Sequence, residues 1–183
     1  MKPKALLTLL LLYVSVGCLA QAGYTHIEVQ SGYELFPDMS NKSGFGLNIG
    51  GRYAFNDNCF VAGMLHCGVN NGSYNGMYAG EMTKLDHTLR EYMLGVGPGM
   101  YLYNGGDRWI YVDVLFGYGF GEELKDASTC ISRPLNGFAT AARCGVEYQL
   151  KNGWIVGANI GGYLVGKHIR PAICLKWGVF LNL

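Results

Sequence analysis

The sequence predicts an all-β fold, an eight-stranded antiparallel up-and-down β-barrel, and three observations lead to this prediction. Eight stretches alternate bulky apolar residues with small or polar ones, and this two-residue period is that of a β-strand. The connections alternate between tight turns of Asn, Asp and Gly and segments that are mostly longer. The chain has 28 glycines in 183 residues, and no stretch shows a helical period.

We expect the eight strands at residues 25–36, 43–55, 59–70, 88–103, 108–121, 136–150, 154–166 and 171–183. Tight turns are expected at residues 56–58, 104–107 and 151–153, because Asn, Asp and Gly tolerate the positive φ that such turns need. The other connections are residues 37–42, 71–87, 122–135 and 167–170. Short turns at one rim and longer loops at the other are typical of transmembrane barrels, in which the short turns face the periplasm.

Residues 1–20 are predicted to be a cleaved signal peptide. Lys2 and Lys4 precede an apolar run at residues 5–16, and small residues occupy positions 18 and 20. The run is too short for a spanning helix, which needs about 20 apolar residues. Residues 21–183 would then form a single exported barrel domain. An alternative is a lipoprotein in which Cys18 is acylated and retained.

Charge and cysteine spacing exclude several functional classes. The formal net charge is +1 and no basic stripe is visible, which argues against a nucleic-acid partner. The cysteines lack the C-x-x-C spacing of zinc and redox sites, so we predict neither a metal nor a cofactor. Cys59 and Cys67 lie on one predicted strand about 26 Å apart, whereas a disulfide allows about 7 Å between Cα atoms.

Each clear strand has one bulky face and one small or charged face. In the last strand, Ile173, Leu175 and Trp177 oppose Cys174 and Lys176. An eight-stranded interior is just wide enough to be filled by side chains, so the bulky faces of all strands would overfill it. We therefore expect the bulky face to point outward, into lipid. The alternative, a soluble periplasmic ligand carrier of lipocalin shape, would turn the bulky face inward.

This assignment of faces predicts how the barrel tolerates substitution. Val114 lies on the outward face near the middle of its strand, and Gly117 lies on the inward face. An arginine at position 114 should therefore be tolerated less well than an alanine at position 117.

The segment GVGPG at residues 95–99 and the closing strand WGVFLNL at residues 177–183 complete a pattern that resembles the small OmpA/OmpX-like outer-membrane β-barrel family. The likeness extends over nearly all of residues 21–183 and is nearest to the barrels of Bacteroidetes-type bacteria. It implies location in the bacterial outer membrane, contact with its lipid, and insertion by the barrel-assembly machinery. One departure is that the chain ends in Leu183 rather than in the aromatic residue that this machinery reads.

Charged residues of both signs occupy the inward face of several strands. Because a narrow interior demands partners for buried charges, we expect these residues to pair across the lumen and to plug it. The predicted lumen charge network consists of Glu28, Glu34, Arg52, Glu91, Asp113, Arg143, Glu147 and Lys176.

The segment at residues 71–87 carries aromatic and methionine side chains among Gly and Asn. Tyr74, Met77, Tyr78 and Met82 are candidate contacts for an extracellular ligand, since such side chains are frequent anchors in interfaces. Alternatively, they fold back onto the barrel mouth. The function predicted from the sequence is therefore a structural or surface-interaction barrel.

A different hypothesis is a lipid A-modifying enzyme, in which a histidine takes a proton from a serine hydroxyl near the outer rim. His87 and His168 are the candidate bases, and Ser73 and Ser128 are the candidate nucleophiles. No sequence motif supports this alternative, so the sequence assigns no catalytic residue.

Overall fold

A computed structural model describes residues 24–125 and 131–181, and all elements within these ranges are strands. They are β1 (Tyr24–Leu35), β2 (Ser43–Ala54), β3 (Cys59–Tyr78), β4 (Glu81–Asn104), β5 (Arg108–Lys125), β6 (Ile131–Pro134), β7 (Gly137–Gln149), β8 (Trp154–Val165) and β9 (His168–Leu181). Over these ranges no helix is long and apolar enough to cross a membrane. The predicted signal peptide and Ser128 lie outside the described residues.

The strands form a closed antiparallel ring in the order β1-β2-β3-β4-β5-β7-β8-β9, and β9 pairs again with β1. The short strand β6 pairs with the end of β5, where Glu122 faces Pro134. β7 continues along the same edge of β5, with Gly119 facing Gly137. β6 and β7 thus occupy the same position in the ring, beside β5, and count as one interrupted strand. The ring therefore has eight strand positions, and the predicted eight-stranded barrel is confirmed.

The prediction of a loop at residues 71–87 is wrong, because β3 and β4 continue through this segment as one hairpin. Their pairing is unbroken from Cys59 opposite Met100 to Tyr78 opposite Glu81. The chain reverses at residues 79–80, whose φ angles of 52° and 88° suit a two-residue hairpin turn. Asn and Gly are weak strand formers alone, but here the facing strand supplies hydrogen-bond partners for the backbone.

Two other connections are also shorter than expected. β5 extends to Lys125 and β6 begins at Ile131, so much of the predicted 122–135 loop is strand. β9 begins at His168, which leaves only residues 166–167 between β8 and β9. Gly166 has a φ of 63°, so a side chain there would strain the turn.

The two ends of the barrel are named as follows. We call the end with turns 55–58, 105–107 and 150–153 the short-turn rim. We call the opposite end the long-loop rim, because it carries the connection at residues 36–42 and the projecting ends of β3 and β4.

The bulky face points outward, as predicted. Leu47 and Leu175 are 38% and 57% exposed, whereas Arg52 and Lys176 are 2% and 1% exposed. The soluble lipocalin-like alternative requires the reverse arrangement and is therefore wrong. An outward surface this apolar, built on a closed ladder with no free strand edge, is suited to hydrocarbon.

Two apolar clusters lie in the barrel interior. The first begins with Phe60, Trp109 and Tyr111 near the short-turn rim and continues along the bore to Val165 at the end of β8. The second consists of Phe36, Met39, Leu89 and Leu135 and closes the interior at the long-loop rim. The buried charged side chains share the lumen with these clusters, and Arg52 and Lys176 contact the ring of Tyr111.

A charged side chain on the outward face of β5, near the middle of the strand, should destabilise the barrel. We expect Val114→Arg to lower the free energy of unfolding by about 2 to 4 kcal/mol, because arginine at the bilayer midplane is costly. Leu150→Arg, at the short-turn rim, should cost about 0 to 1 kcal/mol. Urea unfolding in lipid vesicles measures both values, and an equal cost at the two positions would contradict the lipid-facing assignment.

The expectation that Gly117→Ala is well tolerated is wrong. A Cβ on Gly117 would lie 1.8 Å from the carbonyl oxygen of Leu94 on the neighbouring strand. Because backbone atoms cannot yield easily there, alanine at position 117 is expected to be disruptive despite its small size. Leu150→Arg is the better control, since it changes the depth of the charge and leaves the interior intact.

Candidate functional site

Six charged side chains meet in the lumen and form what we call the central network. Its members are Glu28, Arg52, Asp113, Arg143, Glu147 and Lys176. All six are buried, and they come from strands β1, β2, β5, β7 and β9. Three carboxylates face three cations, so the formal charges of the network balance.

Arg143 and Arg52 connect the carboxylates of the central network. Arg143 donates two hydrogen bonds to Asp113, from Nε to Oδ1 at 2.8 Å and from Nη2 to Oδ2 at 2.7 Å. This parallel geometry is the strongest form of an arginine–carboxylate pair. Arg52 Nη1 donates to Glu147 Oε1 at 2.8 Å, and its Nη2 lies 3.7 Å from Asp113 Oδ2. The network is therefore continuous across the lumen.

Lys176 and Tyr111 complete the central network. The Lys176 ammonium donates to Glu147 and lies 2.8 Å from Glu28 Oε2. The guanidinium of Arg52 lies 3.5 Å from the ring centroid of Tyr111, on the opposite wall. Buried cations are stabilised by such ring faces as well as by carboxylates. The side chains of Arg52, Tyr111 and Lys176 thus meet inside the bore.

The remaining two predicted network residues, Glu34 and Glu91, lie apart from the other six. Glu91 Oε1 is 3.4 Å from Arg170 Nε, and Glu34 Oε1 is 3.6 Å from His66 Nδ1. Neither carboxylate accepts a hydrogen bond from the residues that the structure describes. Glu34, His66 and Glu91, here called the upper cluster, are completely buried. They lie in the lumen as expected, but outside the central network, and Arg170 near Glu91 is a partner that the sequence analysis did not name.

Metal-ligand geometry occurs at two places among the described residues. His26, Glu28 and Glu147 form one group, and the upper cluster forms the other. In the first group the Lys176 ammonium already lies between the two carboxylates. The sequence analysis found neither group because the ligands of each come from separate strands, with no short motif to reveal them.

The long-loop rim brings together a serine, a histidine and a carboxylate. Ser40 Oγ lies 3.3 Å from His87 Nδ1, and His87 Nε2 lies 2.8 Å from Glu123 Oε1. Because an ionised carboxylate can only accept, a neutral His87 donates from Nε2 and leaves Nδ1 to accept from the serine hydroxyl. His87 is nearly buried, whereas Ser40 is exposed in the segment between β1 and β2.

The sequence analysis named His87 for this chemistry, but the structure places Ser40 rather than Ser73 beside it, and Ser128 lies outside the described residues. Ser73 faces Asp86 across the hairpin, and Ser40 is the serine beside His87. His168 hydrogen-bonds to Asp38 at 2.7 Å. This bond, followed by the charges of His168 and Arg170, lowers the pKa of the exposed Asp38 carboxyl. Ser40 and Glu123 were missed because they are 47 and 36 residues from His87.

The four candidate contact residues lie on the β3–β4 hairpin rather than in a loop. Met77, Tyr78 and Met82 are 62%, 51% and 70% exposed near its tip. Tyr74 is half-buried, with its ring 6.2 Å from that of His87 and beneath the Lys125 ammonium. Three of the four are therefore accessible, and Tyr74 instead packs at the base of the hairpin.

Residues 7–172 match the family model described as "Outer membrane protein beta-barrel domain". No curated protein sequence matches the chain. Among solved structures, OprG from Pseudomonas aeruginosa is similar at a TM-score of 0.63 and 12% identity, covering 89% of this chain and 98% of its own.

Two other outer-membrane structures are similar at about the same level. One is Ail, the attachment invasion locus protein of Yersinia pestis, whose structure was solved with the heparin analogue sucrose octasulfate. It matches at a TM-score of 0.57 and 15% identity, covering 87% of this chain and 97% of its own. Neisserial surface protein A matches at a TM-score of 0.54 and 15% identity, covering 88% of this chain and 97% of its own. At these identities the likeness concerns the fold alone.

Removing one cation from the central network should be far more damaging than removing an exposed one. We expect Arg143→Met to lower the free energy of unfolding by about 3 to 5 kcal/mol, because it leaves Asp113 buried without its main partner. Arg108→Met removes a solvent-exposed pair with Asp107 and should cost about 0 to 1 kcal/mol. Urea unfolding in vesicles compares the two, and similar losses would show that the central network is not energetically coupled.

Proposed function

Because the chain belongs to the outer membrane protein β-barrel domain family, we propose that it is a small outer-membrane barrel that conducts no solutes and acts through the surface it presents outside the cell. The observation that carries the proposal is the central network, whose side chains are fully buried across the bore. Eight strands leave an interior that side chains can fill. The wall contacts outer-membrane lipid, and the lumen is plugged by paired charges.

The proposal includes the route to the membrane. Export would use a cleaved signal at residues 1–20, supported by the positive start and the apolar run of the sequence. Insertion would use the barrel-assembly machinery. Short turns face the periplasm in such barrels, which places the long-loop rim outside the cell. The particular resemblance to the barrels of Bacteroidetes-type bacteria stays a prediction.

The extracellular surface is dominated by the β3–β4 hairpin, which extends well past its neighbour β2. β2 ends its pairing with β3 at Val69, so the rest of the hairpin projects beyond this part of the barrel. Its tip exposes Met77, Tyr78 and Met82, which suit contact with a protein surface.

A sulfated glycan of the kind bound to Ail is a poor fit for this hairpin. Its charges are Glu81, Lys84, Asp86 and Arg90, which alternate in sign. A polyanion requires a cluster of one sign. We therefore propose a protein ligand for this surface.

The hairpin tip should determine binding. We expect the triple variant Met77→Ser, Tyr78→Ser, Met82→Ser to bind at least about tenfold more weakly to its protein ligand, because it loses its apolar anchors. The assay presents the barrel in lipid nanodiscs to immobilised extracellular-matrix and serum proteins, with heparin as the polyanion. The matched control replaces the exposed polar residues Asn75, Thr83 and Lys84 by serine on the same hairpin.

The same preparation tests the plugged lumen in planar lipid bilayers. We expect no stepwise conductance from either the parent protein or the triple variant. Open-channel steps in the parent protein would contradict the plug, whereas binding to heparin that survives the triple variant would contradict the proposed ligand class.

The Ser40–His87–Glu123 geometry favours a second candidate function, hydrolysis of acyl esters such as those of lipid A in the outer leaflet. Ser40 Oγ would attack the ester carbonyl while His87 Nδ1 takes the hydroxyl proton and returns it to the departing alcohol. Water would then release the fatty acid from Ser40. Glu123 would orient the ring and stabilise its charged form. Gly72 makes room for the serine, since a Cβ there would lie 2.8 Å from Ser40 Oγ.

Lipid A from expressing cells tests this second function. We expect the parent protein to lower the mass of lipid A by one acyl chain, and Ser40→Ala or His87→Ala to abolish the change. Ser73→Ala is the matched control, because Ser73 lines the same open pocket without contacting His87. Unchanged lipid A with the parent protein, or activity that survives Ser40→Ala, would exclude hydrolysis at this site.

A further inference from the structure

We propose that the upper cluster binds a single divalent transition-metal ion, of the Zn²⁺ class, inside the lumen. Glu34 on β1, His66 on β3 and Glu91 on β4 each offer one ligand atom, and these atoms lie within 4.8 Å of one another. One imidazole and two carboxylates form a donor set that suits zinc, with water in the remaining position. The site is independent of the surface function proposed above.

The orientation of His66 is fixed by a second layer of contacts. His66 Nδ1 lies 2.8 Å from Asn48 Oδ1. The Asn48 amide nitrogen is hydrogen-bonded to the hydroxyl of Tyr163 at 2.9 Å, which makes Oδ1 the acceptor for His66. Nδ1 therefore carries the proton, and Nε2 is the atom with a free lone pair. Metal-bound histidines are commonly held in this way by a partner of their other nitrogen.

Tyr163 also fixes the plane of the histidine ring. The two rings stack with centroids 4.0 Å apart and an interplanar angle of 8°. His66 Nε2 is buried and has no hydrogen-bond partner among the described residues. A buried polar atom without a partner is costly, and a cation would satisfy its lone pair.

The side chains of Glu34, His66 and Glu91 surround a small space above Gly68. A Cβ placed on Gly68 would lie 2.9 Å from Glu34 Oε2, 3.2 Å from Glu91 Cγ and 3.2 Å from His66 Nε2. Any side chain at position 68 would thus occupy the space that the three groups share. Glycine at this position leaves room for an ion and its coordinated water.

Charge distinguishes the upper cluster from the other group with metal-ligand geometry. In that group, Lys176 and Arg52 both contact Glu28 and Glu147 and neutralise the two carboxylates. In the upper cluster, the guanidinium of Arg170 lies 3.4 Å from Glu91 Oε1 and is shared with Asp38, whose Oδ2 lies 3.5 Å from Nη1. All four oxygens of the two carboxylates lack a hydrogen-bond donor among the described residues. A divalent cation would supply the missing positive charge.

The ion should exchange slowly once the barrel has folded. Phe36 and Met39 are buried at the long-loop rim next to Leu89 and Leu135, and together they close the lumen above the upper cluster. Arg170 lies against the ring of Phe36 and covers the site from the same side. We therefore expect zinc present during refolding to be retained more completely than zinc added afterwards.

Zinc content after refolding tests the site. The parent protein is refolded in detergent with Zn²⁺, desalted against a chelator and analysed for metal by mass spectrometry, with folding checked by heat-modifiable gel mobility. We expect one zinc per folded barrel, and at least about tenfold weaker retention in Glu34→Gln and His66→Gln. Gly68→Ala should lose the ion without removing any ligand. His26→Gln, a buried histidine in the other group, is the matched control and should retain zinc.

X-ray absorption at the zinc edge supplies the second readout, with nitrogen and oxygen neighbours expected. A sulfur neighbour would assign the ion to a cysteine such as Cys174 and overturn the proposal. Absence of zinc from the folded parent protein would overturn it too, as would equal retention in the parent protein, Glu34→Gln and His66→Gln. Ca²⁺ in place of Zn²⁺ should not be retained, because calcium prefers a shell of oxygen ligands alone.

Discussion

Closure of the hydrogen-bonded ring is the constraint on which the rest of this structure depends. Hydrocarbon offers no partner for backbone N–H and C=O groups, so every strand edge must be paired, and β9 therefore returns to β1. A ring of eight strands encloses a narrow bore. The bore cannot hold the bulky faces of all eight strands, so these faces point to the lipid, while charges, small residues and two apolar clusters fill the interior.

Charge confined in so narrow a bore must be neutralised locally. The central network achieves this with equal numbers of carboxylates and cations, and its arginines contact carboxylates from opposite walls of the barrel. The upper cluster does not, because Arg170 pairs with Glu91 and no arginine or lysine pairs with Glu34 among the described residues. The two parts of the lumen thus differ in charge balance. The formal charges of the central network cancel, whereas the upper cluster retains lone pairs that could bind a cation.

The long-loop rim differs from the lumen because strands of unequal length end there. β3, β4 and β5 continue past the point at which β2 stops pairing. Their extension carries the exposed tip of the hairpin, and it also brings His87 and Glu123 to the segment that holds Ser40. Contact surface and candidate chemistry therefore arise from the same extension of the sheet.

The sequence by itself determined the strand number, the outward face and the inward position of Glu28, Arg52 and Lys176, because a two-residue period is a local property of each strand. It failed at residues 71–87, where weak strand formers are held by cross-strand pairing. Only the tertiary structure decided that Arg143 meets Asp113, that His66 meets Glu34, and that Ser40 meets His87. Those meetings depend on the stagger and closure of the whole ring, which no single strand encodes.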